Sequence, residues 1–461
     1  MAGEMGSKMA GEMGGEPSEQ HLGRASSQTV ASADALVIGG GVAGLIAARE
    51  LSAQGLTVIL AEARERLGGR LLRRRFAGDG PPVELGGAWF SASEMPPLER
   101  ALRRHGISVR AAAPAHAHRW LTGGALRDGA PVPLEEGRAL ERAAFELGAA
   151  SRRLPSSVTL DGGEQLADLD VSAAEWIERL APPPATGDLL RTFASMYGGC
   201  DPREEALLGH LADVAGFGHS GFALLDGLAQ ELAGGSDELI GRLADACGAE
   251  IRTGCAIGEL RQGEDDVTAL DADGARLQAA VAVIAVPINA LPAIRLSPAP
   301  APQIAAAAKL GQPCRSQKLW IAAEGVPEGL VAAGWGAPLQ WVADAGELDG
   351  ARLLVAFGHE RSGCDPDSLD SVSAAVQRLM PEARVLAVDR HDWSKDPYSR
   401  GAWGMWRPGW VSDGTLRALN APHGRLAFAS SDFAPEWPGW IAGAISSGER
   451  AAALMVKRLR G

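Results

Sequence analysis

A chain of 461 residues is too long for one small hydrophobic core and implies two or more domains. Its 46% hydrophobic and 22% charged residues are those of a globular protein. A formal net charge of −13 argues against nucleic acid or an anionic membrane as partner, and no run approaches the roughly 18 apolar residues that span a bilayer.

The first 32 residues are rich in Gly, Glu and Ser and repeat MAGEMG at Met1 and Met9. They lack an apolar h-region and read as a disordered tail rather than a secretory signal. Five cysteines (Cys200, Cys247, Cys255, Cys314 and Cys364) are scattered, odd in number and without a CxxC pair. That pattern fits reduced thiols in a cytoplasmic protein, with neither a disulfide framework nor a zinc site.

Order is expected from Ala33, and a short apolar strand, Ala35 to Ile38, runs into Gly39, Gly41 and Gly44 at GxGxxG spacing. A helix with apolar periodicity and the strand LTVILAE, ending in Glu62, complete a dinucleotide-binding βαβ unit. Gly39 permits the tight turn, Gly41 lets backbone approach a pyrophosphate, and Gly44 lets helix and strand pack closely. The helix N-terminus receives the negative charge. Glu62 is placed to accept from ribose hydroxyls, which disfavours a 2′-phosphate and leaves NAD or FAD. The next residues separate these two. EARERLGGRLL supplies Arg64, Arg66, Gly68, Gly69 and Arg70, and VELGGAWF supplies Gly86 and Gly87. Two further glycine pairs let backbone approach a second, bulkier part of the ligand, and the arginines beside them suit phosphate. A nicotinamide half would instead meet a second Rossmann half.

ExRxRxGGR after the Rossmann strand resembles the flavin-dependent amine oxidases, the monoamine oxidase group, and within it the bacterial nicotine and pseudooxynicotine oxidoreductases. The resemblance runs from about Asp34 to the C-terminus and is loosest between about residues 110 and 230. It implies an α/β fold in which a Rossmann-type FAD-binding domain is interleaved with an α+β substrate domain, a two-domain architecture like that of p-hydroxybenzoate hydroxylase. The FAD domain would take residues 33–108, 230–302 and 400–461, and the substrate domain 109–229 and 303–399. Cofactor contacts by Gly86, Gly87 and Ala88 are implied in the same way.

Further along, SAAEWIERLA and TGDLLRTFASMYGGCD carry helical patterns assigned to the substrate domain. Phe193, Met196, Tyr197, Phe217 and Phe222 are candidate pocket residues there, and equally good core residues. The segment Gly234 to Leu260 resembles the family's return to the FAD domain, with Ile257 or Ala256 meeting adenine through backbone. AAVAVIAVPINAL resembles the strand and turn that close the adenine side. RSQKLWIAAEG carries Lys318 in an apolar strand, where alternation gives even odds that it points outward. The resemblance implies instead a lysine held through a water to flavin N5. HDWSKDPYSRGAWGMWRPG resembles the family's W-x(4)-Y-x-x-G at Trp393, Tyr398 and Gly401. The next two positions, a flavin-linked cysteine and a cage tyrosine in the mitochondrial enzymes, are Ala402 and Trp403 here. Ala402 forms no thioether, so FAD is expected to be non-covalent. Ser430, Ser431 and Asp432 depart from the family's GE or GTE, and Asp432 is a carbon shorter than the glutamate that meets the ribityl chain. Trp440 falls at the second cage aromatic and Ile441 opens a helix that faces the flavin. Trp437 is expected to pack nearby.

These features imply oxidation of a primary or secondary amine by hydride transfer to flavin N5, between Trp403 and Trp440 and beside Lys318. The imine so formed hydrolyses to a carbonyl plus amine or ammonia. Aromatic walls without carboxylates favour the neutral amine and orient its C–H bond. Where amino-acid oxidases of the superfamily hold a substrate carboxylate with arginine, GGAWFSASEM has Trp89 and Phe90, so a substrate without an alpha-carboxylate is expected. Two alternatives share the fold: a desaturase or protoporphyrinogen-oxidase-like enzyme, and a non-catalytic flavin-binding protein. The tryptophan pair and Lys318 argue against the first; only the Ser430–Asp432 departure supports the second. His116 and His118 have no third ligand, so no metal is expected. Expected partners are a small amine, O2 or a protein electron acceptor, and a second copy of the chain.

Overall fold

The computed structural model describes residues 30–154 and 164–461. The tail expected over residues 1–32 falls almost wholly outside the described residues, and its last two, Ala31 and Ser32, already belong to the first strand. That strand, Ala31–Ile38, is twice as long as its apolar run. Only Ala35–Ile38 is fully buried, whereas the first half is held by backbone pairing with Leu277–Ala279, which hydrophobic pattern does not reveal.

Five strands run parallel in the order Leu426–Phe428, Arg276–Ile284, Ala31–Ile38, Val58–Ala61 and Glu250–Arg252. Val267–Asp271, Ile257–Gln262 and Arg295–Ser297 extend this sheet to eight strands. Its central strands read as unbroken apolar runs because both faces are covered. One face packs on the helices Val42–Ser52 and Ile441–Arg460 through Leu45, Ile46, Ala442 and Ile445. The other packs on Leu207–Gly216 and on Trp406 and Leu416.

A second sheet of seven strands is ordered Arg384–Arg390, Ser316–Glu324, Ala351–His359, Leu339–Leu348, Leu330–Gly334, Ala117–Thr122 and Ala125–Asp128. Side chains alternate along Ser316–Glu324. Leu319, Ile321 and Ala323 enter a core shared with Val372 and Val376 of the helix Leu369–Gln377. Trp320 and Ala322 face the other way, onto Phe76, Val83 and Leu85, and Lys318 shares their parity. This face is turned toward the strand Pro82–Glu84 and the glycine pair that follows it. The helices between residues 137 and 227 leave and return through the antiparallel pair Val109–Ala111 and Gln230–Leu232. Among the described residues no helix is long and apolar enough to cross a membrane.

Candidate active site

A cleft of about 340 Å³ opens at the carboxyl ends of the parallel strands, where open α/β sheets bind ligands. The residues that follow those strands line it: Gly39, Glu62, Ala285 and Ala429. Gly39 has φ +105, and a Cβ there would meet the Ala285 carbonyl oxygen at 2.4 Å. A Cβ on Gly44 would sit 1.9 Å from the Gly39 carbonyl oxygen, so Gly44 acts by packing and does not line the cleft. The helix Val42–Ser52 starts at Gly41 without a side-chain cap. Its first-turn N–H groups, at the cleft-lining Val42 and Ala43, have no intrahelical acceptor and suit an anion. Glu62 is 3% exposed and accepts from the Gly40 N–H at 2.6 Å and the Arg64 N–H at 2.9 Å. Those bonds fix its carboxylate while leaving lone pairs for a hydroxyl donor.

The arginines divide into three roles. Arg64 donates to Asp396 at 2.5 Å and to Ser399 Oγ at 2.9 Å, with its guanidinium 5.2 Å from the Tyr398 ring centre. Burial opposes the Asp396 charge, but the His391 hydrogen bond and the Arg64 charge outweigh it and hold the carboxyl at about 2. Arg66 donates to the carbonyls of Leu67, Gly69 and Leu71 and so braces the glycine turn itself. Arg70 donates to the Ala402 carbonyl at 2.7 Å and to Ser431 Oγ at 3.0 Å, and pairs with Asp432 at 2.6 Å. Asp432 is fully buried, and its other oxygen accepts from the Ile288 N–H at 2.8 Å. It lies behind Arg70 and does not line the cleft, although Ser430 and Ser431 do.

Lys318 points inward. Its Nζ donates to the Gly86 carbonyl at 2.9 Å and lies 4.4 Å from the centre of the Trp89 ring. The strand register sets Lys318 opposite Phe357, and Phe357 opposite Trp341. Trp89, Trp341 and Phe357 contact one another with ring centres 5.5 to 6.4 Å apart. Burial of the ammonium in these surroundings pushes Lys318 down to about 7, against the opposing pull of Glu84 and Glu231.

Both tryptophans at the far end line the same cleft. Trp403 Nε1–H donates to the Tyr197 carbonyl at 2.6 Å, and its ring meets Phe357 edge-on at 5.9 Å. Trp440 caps the helix Ile441–Arg460, and its Nε1–H donates to Asp213 at 2.9 Å. Trp437, with φ +55, packs edge-on against Phe217 at 5.7 Å and does not line the cleft.

Of the other residues singled out by sequence, Gly41, Gly69, Gly86, Gly87, Ile257, Trp393 and Ile441 line the cleft. Ala88 and Trp89 do not, although Trp89 supports Lys318. Phe193 packs against Trp120, beside Val132, Ala185 and Leu189. Tyr197 joins the main core and offers its carbonyl rather than its ring. Neither lines the cleft, and Phe222 is exposed. Asp213, Trp341 and Phe357 escaped sequence reasoning; their partners come from distant segments. Among the described residues no group of three His, Cys, Asp or Glu side chains is placed to hold a metal ion.

A parallel sheet with a glycine cradle and an uncapped helix start, opening on a cleft that a buried lysine and two tryptophans also line, suits a dinucleotide-dependent oxidoreductase. Residues 42–456 match the family described as flavin containing amine oxidoreductase, and the chain belongs to that family of flavin-dependent, amine-oxidising enzymes. It is 32% identical to (S)-6-hydroxynicotine oxidase of Paenarthrobacter nicotinovorans over 90% of this chain and 97% of that one. It is 30% identical to nicotine dehydrogenase of Pseudomonas putida over 91% of this chain and 87% of the relative. Its fold matches putrescine oxidase at TM-score 0.81 and 22% identity, covering 93% of this chain and all of that one. Cyclohexylamine oxidase from Brevibacterium oxydans matches at TM-score 0.77 and 20% identity, with 93% of this chain and 100% of that one covered.

Proposed function

We propose that this chain oxidises an amine lacking an alpha-carboxylate, with FAD held non-covalently in the cleft and the substrate between Trp403 and Trp440. The observation that carries the reading is continuity: one cleft is lined by Gly39 and Glu62 at one end and by Lys318, Trp403 and Trp440 at the other. A dinucleotide fits the first end, because uncapped helix N–H groups meet its pyrophosphate and Glu62 meets a ribose. Ala402 lines the cleft where a covalent flavin needs a cysteine.

Bound FAD supplies an acceptor for the hydride equivalent that leaves the carbon beside the amine nitrogen. Trp403 and Trp440 exclude water and align that C–H bond. Their desolvation favours the neutral amine, whose lone pair assists loss of the hydride. Lys318, with its ammonium destabilised by burial, orients a water at the reacting edge. The arginines that line the cleft, Arg64 and Arg70, are already paired with Asp396 and Asp432, which supports a substrate without a carboxylate. Electrons pass on to O2 or a protein acceptor, and the free cysteines suit the cytoplasm.

The test is anaerobic mixing of purified protein with nicotine, 6-hydroxynicotine, putrescine and cyclohexylamine, following loss of oxidised-flavin absorbance. Bleaching by one amine supports the reading, and an oxidase then recolours in air. Yellow protein that none of the four bleaches contradicts it. Denaturation followed by filtration checks attachment: intact FAD in the filtrate is the expected result, and colour retained on the chain the opposite.

A further inference from the structure

The helix Leu207–Gly216 is apolar on the side that carries Leu207, Leu208, Leu211 and Val214, yet Asp213 is 2% exposed within it. A buried carboxyl is costly unless a partner compensates it. Among the described residues, its side-chain hydrogen-bond partner is the Trp440 indole at 2.9 Å. His210, three residues earlier, pairs instead with Glu205 at 3.2 Å. Burial pushes the Asp213 carboxyl up to about 7, against the pull of His210 and the Trp440 hydrogen bond. A protonated carboxyl still accepts through its carbonyl oxygen, so the anchor does not depend on ionisation.

The same helix backs the rest of both tryptophan segments. A Cβ on Gly216 would meet Trp437 Cη2 at 2.2 Å, and one on Gly209 would meet Met405 Sδ at 2.7 Å. The Ala206 N–H, just before the helix, donates to the Trp406 carbonyl at 2.8 Å. Indole is a donor only, and the torsion that turns its ring is broad, so torsional preference alone leaves its rotation loosely specified. A buried acceptor on a braced helix specifies it.

We propose that Asp213 is a positioning residue for amine oxidation: its side-chain oxygen sets the rotation of the Trp440 ring and thereby the wall that the substrate meets. The inference rests on reading Trp440 as a substrate wall.

The experiment uses the flavin-loaded variants D213L, D213N, W440F and D213L/W440F. Each is mixed anaerobically with the amine of the four that reduces the wild type fastest, and rates are expressed per bound flavin. D213L, which withdraws the acceptor, is expected to lower kcat/KM by about 10-fold or more, with a loss in the limiting reduction rate and not in KM alone. D213N keeps an acceptor and is expected within roughly threefold of wild type. In the W440F background the indole donor is gone, so adding D213L is expected to cost about twofold at most. Should D213L fail to fold, D213A withdraws the acceptor in the same way.

Unchanged rates per flavin in D213L, a D213N defect as deep as that of D213L, or an undiminished D213L effect on W440F would each overturn the assignment. If W440F itself leaves the reduction rate unchanged, the substrate-wall reading fails first. If no amine reduces the wild type, the amine reading fails and this inference with it.

Discussion

Lys318 reaches from the second sheet to the backbone that follows the strand Pro82–Glu84, with its Nζ 2.9 Å from the Gly86 carbonyl oxygen. This buried lysine of the cleft thereby ties the second sheet to the glycine pair Gly86–Gly87. Removing it with Lys318→Met keeps the bulk and withdraws the donor. The rate of flavin reduction is expected to fall on the order of 100-fold, as when one positioned donor is lost from a reacting centre. Flavin content should stay near wild type. A reduction rate within threefold of wild type would remove Lys318 from the reaction.

The same lysine makes a pH prediction. Its pKa is about 7 in the folded protein and 10.5 in the unfolded chain. Between these values the unfolded chain binds more protons, so stability from this group rises with pH through that window. Below about 7 both states carry the charge and the full burial cost remains; above about 10.5 neither does. Lys318→Met removes the cost, so its gain in melting temperature over wild type should be larger at pH 7 than at pH 10. A gain independent of pH would show that the ammonium is already relieved in the native state.

How much of this was legible in the sequence follows from where the determinants lie. The GxGxxG turn and Glu62 sit within one βαβ unit, and their roles follow from spacing because the strand, turn and helix are contiguous. Lys318 was evenly balanced, since period-2 alternation tells which residues share a face but not which face meets the other sheet. That choice is made by Phe76, Val83 and Leu85, over 230 residues away. Asp213 was illegible for the same reason: the reason for a lone acid on an apolar helix lies 227 residues later, at Trp440. Phe193 and Tyr197 lie on a correctly read helix, but periodicity cannot separate a core face from a pocket face.

Glu62 offers a separate test of the cofactor end. Glu62→Gln keeps the shape but turns one acceptor into an NH2 facing the Gly40 or Arg64 N–H. A buried donor set against a donor costs about 1–3 kcal/mol. The variant is expected to bind FAD roughly 10-fold more weakly or worse, measured by titrating flavin-stripped protein. Unaltered affinity would take Glu62 out of the cofactor site.

Trp403→Phe shortens one wall and deletes the N–H that holds Tyr197. Loss of this much shape in a substrate pocket costs about 1–3 kcal/mol, so kcat/KM for the reducing amine should drop between about 10- and 200-fold. The flavin spectrum should report a cofactor still bound. A drop confined to flavin content would make Trp403 part of the cofactor seat instead.

Arg70 and Asp432 form the charge pair beneath the cleft, with the carboxylate fully buried and the guanidinium partly so. Removing one member of such a pair leaves the other charge uncompensated and typically costs about 3–5 kcal/mol, whereas replacing both with apolar groups is often near neutral. Asp432→Leu also leaves the Ile288 N–H without its acceptor, so it should be the more damaging single change. In denaturant unfolding of the flavin-loaded protein, Asp432→Leu and Arg70→Met should each lower stability by several kcal/mol. The double variant should lose less than the sum of the two. Flavin affinity separates stability from function: Arg70 lines the cleft and Asp432 does not. Arg70→Met should therefore weaken FAD binding even at temperatures where the chain remains folded. If Asp432→Leu weakens it equally under those conditions, Asp432 acts on the cofactor through the orientation of Arg70. Additive stability losses would instead show that the two charges act independently and that the ion pair contributes nothing of its own.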